Sequence, residues 1–566
     1  MPAVTKYLPD ATEVVRDNLL HEGSLAALYD LTWNKQQSDL VFVPHNVVRD
    51  EPKESRAKVE VGDRVTALTW GVLIRDEYRY IMHCIWDIIG EYGGSSSGYR
   101  PLPNIERIGV EDPPYNPFVG LNVEWSEEKE IPGVVVSGTS GIGKSLFLIV
   151  VLALRLLAGQ TTVYQFRKDE FILFHADGVY HSEKMKNDLL FLPQHTWFLV
   201  DGNEENAVPP LSFLKACSSS SRKLIMAASP RRDRFEFTTK EMGFRTVWMN
   251  PFSLEEYVAA RGLQAPKTLP RERDLETFFR LYGPSVRAAY ENAETPDIYK
   301  RMVEGHIRRV SWDGVSRALD DLAEGYFESE FSHRVLIAKR LHDQPLEFYV
   351  EFASRINAEL VLETFMRRET EYGNKLYRLF LKAPKARASA GNLLEALSLN
   401  MFPLGGQWQM RRMKKNAKRR RDQDNQHWVI DETSPAFTLL IGHEGRAVEI
   451  LPGEQSTESR VFSSVRRVEY GRSPSPPAQD RAGFYIPDAD NQESFDAWIY
   501  EPSTNHTVIL QCTVKVSTYD IKTKGLKWLN KHTVDVIVVC DEKGGTDINT
   551  PFDDADLIRD VYRLVY

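Results

Sequence analysis

Short apolar runs alternate with longer amphipathic stretches through the middle of the chain. The apolar runs occupy residues 134–136, 161–166, 197–200 and 224–228, and a helix-like stretch at 146–157 follows the first of them. Such alternation is typical of a parallel sheet whose strands are joined by crossover helices. We therefore predict an α/β core from about residue 111 to 252.

The regions on either side of this core have different patterns. Residues 1–110 mix helical periodicity with strand-like stretches, and no function is evident for them. Residues 253–335 have mainly helical periodicity and are predicted to form a lid on the core. Residues 336–566 are predicted to form a second α/β domain, with helices near 351–368 and 391–399 and strands near 437–441, 447–451, 495–500, 508–515 and 534–539.

Composition restricts the class of protein. The chain has 566 residues, 42% hydrophobic and 27% charged, which is typical of several soluble folding units. It lacks a membrane-spanning apolar run and a recognisable signal peptide, so we expect neither a membrane partner nor conventional export. Four scattered cysteines indicate a reducing compartment. Because the net charge is −9, nucleic-acid binding would require a local basic patch.

The most specific motif lies between the first apolar run and the first helix-like stretch. The pattern G-x-x-x-x-G-K-[ST] is that of a phosphate-binding loop, which directs backbone N–H groups and a helix dipole at phosphates. The predicted contacts to ATP or another nucleoside triphosphate are Gly138, Thr139, Ser140, Gly141, Ile142, Gly143, Lys144 and Ser145. Lys144 would reach the β- and γ-phosphates, and Ser145 would bind Mg²⁺. A glycine turn without a ligand is the alternative.

A nucleotide-bound Mg²⁺ also needs a carboxylate, and Asp201 directly follows the apolar run at 197–200. We predict that Asp201 and Ser145 bind the same ion. Hydrolysis further requires a group that orients water, and many ATPases place a glutamate directly after this aspartate. Here Gly202 occupies that position, so Glu204 and Glu205 are the candidates for this role.

Three features are candidates to complete the nucleotide site. Ser229, after the apolar run at 224–228, is either a contact to the γ-phosphate or attacking water, or an ordinary turn residue. The arginines within 231–234 either include an arginine finger or form a solvated basic loop. Arg287, in the predicted lid, is placed where it would contact the nucleotide.

A dense basic block lies in the C-terminal region. Eight of the eleven residues from 411 to 421 are basic: Arg411, Arg412, Lys414, Lys415, Lys418, Arg419, Arg420 and Arg421. In an acidic chain, such a block is typical of a nuclear-import signal or of a contact to the nucleic-acid backbone, and a solvated loop is the alternative. We expect DNA as a partner and the nucleus as the location.

A weaker pattern of polar residues follows this block. Gln511, Thr513 and Lys515 alternate with apolar residues along the strand predicted at 508–515, and Asp496 precedes them. Asp496 and Gln511 are candidate Mg²⁺ ligands of a nuclease site, in which Lys515 would support the attacking water. Ordinary alternation on a half-exposed strand explains the same pattern.

Several of these segments together resemble the Crinkler family. They are residues 137–148, the strand before Asp201, the turn at 282–287 and the C-terminal block from 484–487 to 511–513. Crinklers are eukaryotic effector and conflict proteins, related to retrotransposon hot spot proteins, that combine a P-loop ATPase with a restriction-endonuclease-like domain. The resemblance implies a multidomain α/β protein in which an AAA-like ATPase with a helical lid regulates a nuclease-like domain in a nucleus.

The chain departs from this family pattern at three points. Residues 1–110 contain no ubiquitin-like header with a Leu-Phe-Leu-Ala-Lys-like motif, which leaves delivery to a host nucleus unsupported. Restriction-like nucleases usually have Glu-x-Lys on the second core strand, where this chain has Gln511-Cys512-Thr513. The early helix that often carries a glutamate reads Tyr-Arg-Leu-Phe-Leu at 377–381.

We therefore expect an ATP-regulated, Mg²⁺-dependent DNA nuclease, acting alone or as a homo-oligomer. One alternative is an ATP-controlled protein that binds nucleic acid or a nuclear partner through an inactive nuclease fold. The other is a small-molecule kinase that uses the same phosphate loop.

Overall fold

The computed structural model describes about three-quarters of the chain, in two compact units, Met1–Ala353 and Ser354–Tyr566. The described residues are 12–13, 25–35, 42–46, 60–65, 72–91, 116–119, 131–168, 170–182, 189, 192–218, 222–235, 237, 243–263, 270–342, 344–369, 371–416, 425–443, 459–470, 476–477, 482–487, 495–516, 518–521, 523–529, 533–545 and 547–566. Within these ranges, no helix has both the length and the apolar character that crossing a membrane requires.

The first unit contains a large sheet, two hairpins and ten helices among its described residues. The strands are β1 (Thr12–Glu13), β2 (Phe42–Asn46), β3 (Glu60–Val65), β4 (Gly133–Ser137), β5 (Thr162–Arg167), β6 (Glu170–His175), β7 (Gly178–Ser182), β8 (Trp197–Gly202), β9 (Lys223–Ala228), β10 (Arg245–Trp248), β11 (Leu336–Leu341) and β12 (Gln344–Phe352). The helices are α1 (Leu25–Thr32), α2 (Asp76–Glu91), α3 (Lys144–Leu157), α4 (Leu211–Ser218), α5 (Leu254–Ala259), α6 (Glu272–Tyr282), α7 (Val286–Asn292), α8 (Pro296–Arg309), α9 (Trp312–Glu324) and α10 (Glu330–Val335).

The large sheet has the strand order β1-β7-β6-β5-β8-β9-β4-β10. Strands β5, β8, β9, β4 and β10 are parallel to their neighbours in this series, as the alternating pattern predicts, and the remaining strands pair antiparallel. Helix α3 is buried along most of its length, because its apolar residues pack with those of α2 and with the sheet. The parallel strands and α3 thus form the core from which the phosphate loop emerges.

The segment predicted to be helical, residues 253–335, contains α5 to α10. Serine hydroxyls begin three of these helices by accepting a backbone N–H three residues later, at Ser253, Ser311 and Ser329. The antiparallel hairpin β11–β12 follows and belongs to the first unit. The boundaries predicted at residues 110, 252 and 335 stay predictions, since the described residues separate only after Ala353.

The second unit contains a mixed sheet with helices on its faces. Its helices are α11 (Arg355–Met366), α12 (Tyr372–Lys382), α13 (Arg387–Met401) and α14 (Lys524–Trp528). Its strands are β13 (Gly406–Lys415), β14 (Asn425–Ile430), β15 (Phe437–His443), β16 (Ser459–Tyr470), β17 (Gly483–Pro487), β18 (Ala497–Glu501), β19 (His506–Thr513), β20 (Tyr519–Asp520), β21 (Val534–Cys540), β22 (Asp547–Pro551) and β23 (Ile558–Val565).

Strand β19 lies near the middle of this sheet, between the antiparallel β18 and the parallel β21. The full strand order is β15-β16-β17-β18-β19-β21-β23-β13-β14-β22-β20, and β13 also pairs with β15. Two expectations need correction: the helix predicted from residue 351 begins at Arg355, and the strand predicted to reach Lys515 ends at Thr513. The strand predicted at 447–451 lies outside the described residues.

Candidate functional site

The predicted phosphate loop lies where β4 ends and α3 begins, at the carboxyl edge of the parallel strands. The register aligns Ala228 of β9 with Ser137 of β4 on one side and with Gly202 of β8 on the other. Residues that directly follow these three strands are therefore neighbours at one edge, where open α/β sheets bind their ligands. Ser229 and Asp201 consequently lie beside the phosphate loop, as their positions in the sequence predict.

Three glycines of the loop have positive φ angles, 153° at Gly138 and smaller values at the other two. The φ angles of Gly141 and Gly143 are 79° and 85°, in the left-handed region. A Cβ atom on Gly141 would lie 3.0 Å from Ser285 Oγ and 3.2 Å from Arg287 Cβ. The start of α7 is thus packed directly against the loop, and Arg287 lies at the site where the sequence analysis placed it.

The side chains of Lys144 and Ser145 face the interior of the site. The Lys144 ammonium donates hydrogen bonds to the carbonyl oxygens of Gly138 and Thr139, at 2.8 and 2.7 Å. The Ser145 hydroxyl donates to Asp201 Oδ1 at 2.7 Å, although the two residues are 56 positions apart. The two oxygen ligands predicted for Mg²⁺ are therefore adjacent. Thr139 is placed differently, because its hydroxyl accepts the backbone N–H of Ala338 in β11.

Charge is unevenly distributed at this site. Burial lowers the pKa of Lys144 to about 7, and the positive charges of Arg234 and Arg287 act in the same direction. Burial raises the pKa of Asp201, whereas the Ser145 hydrogen bond and the same cations oppose that shift. Two guanidinium groups and the Lys144 amino group thus surround one carboxylate. A site with this excess of positive charge favours a polyanionic ligand.

The arginines at 231–234 do not share one role. Arg234 is 5% exposed, and its guanidinium donates to the Gly202 carbonyl oxygen at 3.1 Å. Arg232 lies on the outside of the same turn and pairs with Glu324 at 2.7 Å. Of these two residues, Arg234 is therefore the one placed next to Asp201 and Lys144.

The candidates for orienting water lie in the loop after β8. The Asn203 side-chain oxygen accepts the backbone N–H groups of Glu205 and Asn206, at 3.0 and 2.9 Å, and this holds the loop in a tight turn. Glu204 and Glu205 are both exposed. Burial lowers the pKa of Arg234, and the charges of Asp233, Glu204 and Asp201 oppose this shift. Of the two glutamates, Glu204 is therefore the one on the side of the site.

The sequence analysis missed His333 of α10. Burial lowers the pKa of His333 to about 4, and the charges of Arg231, Lys144 and Arg234 act in the same direction. Its Nε2 atom is buried and has no hydrogen-bond partner within the described part of the chain. No sequence signal marks this residue, because the fold of the helical segment alone brings it to the site.

The second predicted site centres on Asp496, which precedes β18. Its backbone N–H donates to Leu510 O at 2.9 Å, and its Oδ2 accepts the N–H of Cys512 at 2.6 Å. Asp496 is therefore a direct neighbour of Gln511 across the strand pair, as the predicted site requires. The Asp496 carboxylate is therefore also a hydrogen-bond acceptor for the backbone of β19.

The side-chain arrangement along β19 differs from the prediction. Gln511 and Thr513 are 2% and 6% exposed, so β19 is a central strand rather than a half-exposed one. Gln511 lies on the face of Ile509, which packs in an apolar cluster with Trp498. Lys515 is exposed beyond the end of the strand, so the expectation that it continues the Gln511 face along β19 is wrong.

The opposite face of β19 carries Cys512 and a carboxylate that the sequence analysis missed, Glu395 of α13. Burial raises the pKa of the Cys512 thiol, and the charges of Asp496 and Glu395 act in the same direction. Gly391, Glu395 and Ser398 follow helical spacing, with Gly391 facing Val514. The two carboxylates thus gather around Cys512 rather than around Gln511.

Comparison with known proteins identifies distant relatives. Crinkler effector protein 15 of Phytophthora infestans is 25% identical to the chain over 403 residues, and Crinkler effector protein 16 of the same organism is 23% identical over 389 residues. Each alignment covers 68% of this chain and 54% of the relative. The chain is distantly similar to Crinkler effector proteins. It spans about half the length of these curated relatives, and no protein-family model matches it.

This similarity agrees with the family resemblance noted from the phosphate loop and the C-terminal block. Both relatives are named as effector proteins. The roles of individual residues must therefore come from the geometry of this chain.

The donor sets at both sites suit a metal that is also held by phosphate oxygens. In the described residues, no three His, Cys, Asp or Glu side chains form a metal-binding group. Mg²⁺ is usually held by one or two carboxylates together with water and substrate phosphates. At the first site Asp201 and Ser145 are adjacent oxygen donors. At the second, Asp496 and Glu395 both lie near Cys512, and Glu395 is also paired with Arg355 at 3.8 Å.

The basic block begins within strand β13 and is partly neutralised there. Arg412 pairs with Asp560 at 2.7 Å, Lys414 pairs with Asp431 at 3.0 Å, and Lys415 lies 5.2 Å from the ring centre of Trp428. Arg411 is exposed. The other four basic residues lie outside the described residues: Lys418, Arg419, Arg420 and Arg421. The described half of the block is thus a strand of the sheet rather than a solvated loop.

Proposed function

We propose that this chain is a Crinkler-like protein that binds and hydrolyses a nucleoside triphosphate, ATP or another, together with Mg²⁺. The observation that carries the proposal is the 2.7 Å hydrogen bond between Ser145 and Asp201 beside the buried Lys144. A hydroxyl, a carboxylate and a lysine meet at the carboxyl edge of a parallel sheet, where a helix begins. This combination is what recognition of a Mg²⁺-bound triphosphate requires.

The roles of the residues follow from their positions. Loop N–H groups and Lys144 would bind the phosphates, and Ser145 and Asp201 would hold Mg²⁺, which neutralises charge on the phosphate oxygens. Arg234 and Arg287 would stabilise the negative charge that develops on the transferred phosphoryl group. Glu204 is the better placed of the two glutamates to orient water.

Nucleotide binding and turnover by Lys144→Ala test this proposal. We expect both to be lost, whereas Lys300→Ala, which removes a half-exposed lysine of α8, should leave both unchanged. Measurements with Mg²⁺-ATP and Mg²⁺-GTP would identify the preferred base. Equal binding by wild type and Lys144→Ala would refute the proposal, and turnover that requires an added metabolite would favour a small-molecule kinase instead.

For the second unit, we propose a Mg²⁺-dependent DNA nuclease that the nucleotide site regulates. Asp496 and Glu395 would hold the ion, and Gln511, the ligand predicted from sequence, is buried on the opposite face of β19. The exposed Arg411 and the basic residues up to Arg421 would contact the DNA backbone. The same block would act as the import signal of a protein that functions in a nucleus, and the names of the relatives support an effector role.

A second candidate function is ATP-controlled binding of nucleic acid without cleavage. Two observations favour it: Lys515 is exposed beyond β19, and the Asp496 carboxylate accepts the Cys512 N–H. Either feature weakens the case for a catalytic metal site.

Plasmid cleavage with and without Mg²⁺-ATP separates the two candidates. The nuclease proposal predicts cleavage that depends on ATP and is lost in Asp496→Ala. The binding proposal predicts no cleavage, together with DNA binding that persists in Asp496→Ala, falls steeply with salt and responds to Lys144→Ala. Cleavage that is unaffected by Asp496→Ala would refute the assigned nuclease site.

A further inference from the structure

Arg75, just before helix α2, is buried against the phosphate loop. Its side chain is 1% exposed, and its Nη1 donates to the Ile142 carbonyl oxygen at 3.1 Å. Its Nη2 donates to Pro251 O at 2.8 Å and to Glu256 Oε2 at 3.0 Å. The guanidinium also lies 3.9 Å from the centre of the Phe252 ring. Arg75 thus joins the loop to the segment that follows β10.

Tyr78, one helical turn further on, contacts the next residue of the loop. Its hydroxyl donates to the Gly143 carbonyl oxygen at 2.8 Å, and the residue is 2% exposed. Gly143 O also accepts the N–H of Phe147 in the first turn of α3. The carbonyl groups of Ile142 and Gly143 therefore both point towards the start of α2.

The direction of these carbonyl groups matters for anion binding. A phosphate loop works because its N–H groups face the ligand, so its carbonyl groups must face away and need donors there. A buried carbonyl without a donor is costly, and one that turned inward would repel phosphate. Arg75 supplies the donor for Ile142 O on the outer side of the loop, and Tyr78 adds a second donor to Gly143 O beside the Phe147 N–H.

Arg75 is also connected to the opposite side of the site. Its partner Glu256 forms the capping box that begins α5 with Ser253. One residue later, the Tyr257 hydroxyl lies 3.4 Å from Ser285 O, next to Arg287. Arg75 therefore contacts one end of the loop directly and is linked through α5 to the arginine at its other side.

We propose that Arg75 and Tyr78 are positioning residues of the nucleotide site, which keep the N–H groups of the loop directed at the phosphates. The inference rests on the proposed nucleotide binding. It gives a role to residues 72–91, for which the sequence suggested none. Neither residue touches the nucleotide in this role, since both act through the loop backbone.

The conservative substitution Tyr78→Phe tests the proposal with a matched control. We expect the Kd for Mg²⁺-ATP, measured by isothermal titration calorimetry, to rise about fivefold, the effect of one net hydrogen bond. Tyr29→Phe removes a comparable bond, from the Tyr29 hydroxyl to His175 O at 2.7 Å, elsewhere in the first unit. Both variants should show similar small losses in Tm without nucleotide, and only Tyr78→Phe should weaken binding.

Arg75→Lys is the stronger test, because lysine keeps the charge and loses the planar fork. We expect the Kd for Mg²⁺-ATP to rise at least about tenfold. The control is Arg261→Lys, because Arg261 is also a buried arginine and donates to Pro270 O at 2.7 Å. If Arg75→Lys does not fold, Tyr78→Phe decides. Unchanged affinity in Tyr78→Phe, with wild type binding normally, would overturn the positioning role alone. A wild-type protein that binds no nucleotide would overturn the proposed function as well.

Discussion

The two candidate sites of this protein differ in how their polar groups are used. At the phosphate loop, a hydroxyl, a carboxylate, two guanidinium groups and the Lys144 amino group face one another at the carboxyl ends of a parallel sheet. At β19, the Asp496 carboxylate binds the backbone of its own sheet, and the predicted lysine lies beyond the strand. The polar groups of the first site are arranged as a ligand would require. At the second site, the Asp496 carboxylate is already hydrogen-bonded within its own sheet.

The difference arises from the neighbours of each strand. Strand β4 is followed by a glycine-rich loop whose glycines have positive φ angles, and a helix begins there. Strand β19 lies between β18 and β21 and is covered by α13, so its polar side chains are buried. A motif at the carboxyl ends of parallel strands can bind a ligand. The same residue types within a covered strand pack against the neighbouring elements instead.

The largest effect should come from Arg234. We expect Arg234→Ala to lower nucleotide turnover by about 10³-fold, the magnitude of a lost arginine finger. Arg232→Ala is the control, because its side chain is 45% exposed and pairs with Glu324. Steady-state turnover with Mg²⁺-ATP measures both variants. Similar losses in the two would mean that the whole turn, rather than Arg234, contributes.

A smaller loss is expected at the second site. If Asp496 and Glu395 hold Mg²⁺, Glu395→Gln should lower DNA cleavage at least about 100-fold, because even residues outside the metal ligands cost up to this factor. Glu363→Gln, an exposed residue of α11 paired with Arg367, is the control. Retained cleavage in Glu395→Gln would remove this residue from the site.

The structural role of Asp496 predicts a more modest change. Asp496→Ala leaves the Cys512 N–H without its acceptor, and we expect local opening of β19 to become easier by about 1–3 kcal/mol. Asp496→Asn keeps an oxygen acceptor and should lose less. Hydrogen exchange of the Cys512 amide, followed by mass spectrometry, measures the difference. Equal exchange in both variants would show that this hydrogen bond contributes little.

The smallest effect concerns protons at the phosphate loop. The pKa of Lys144 is lowered to about 7, so in the free protein at about pH 8 this side chain is mostly neutral. Phosphate anions favour the charged form, so nucleotide binding should take up roughly one proton there, and affinity should fall as pH rises above this pKa. Calorimetry in two buffers of different ionisation enthalpy measures the uptake. Binding without proton uptake would mean that Lys144 is already charged.

Much of the first site could be predicted from the sequence, because its signals are local. The glycine spacing, the valine-rich run before it and the apolar run before Asp201 each specify a short segment. The rule that parallel strands present their carboxyl ends at one edge then brings Ser229 and Asp201 to the loop. Arg287 lies beside Gly141 of the loop, and its contact to a nucleotide stays a prediction.

The tertiary structure alone decided which residues surround these signals. The choice of Arg234 over Arg232, the arrival of His333, and the contacts of Arg75 and Tyr78 depend on packing between segments far apart in sequence. Similarly, the sequence predicts the alternation of polar and apolar residues in β19. It does not predict which face of the strand is buried, or that Glu395 faces Cys512. A sequence determines periodicity and local motifs by itself. Burial and partner choice are properties of the assembled core, because they depend on what covers each strand.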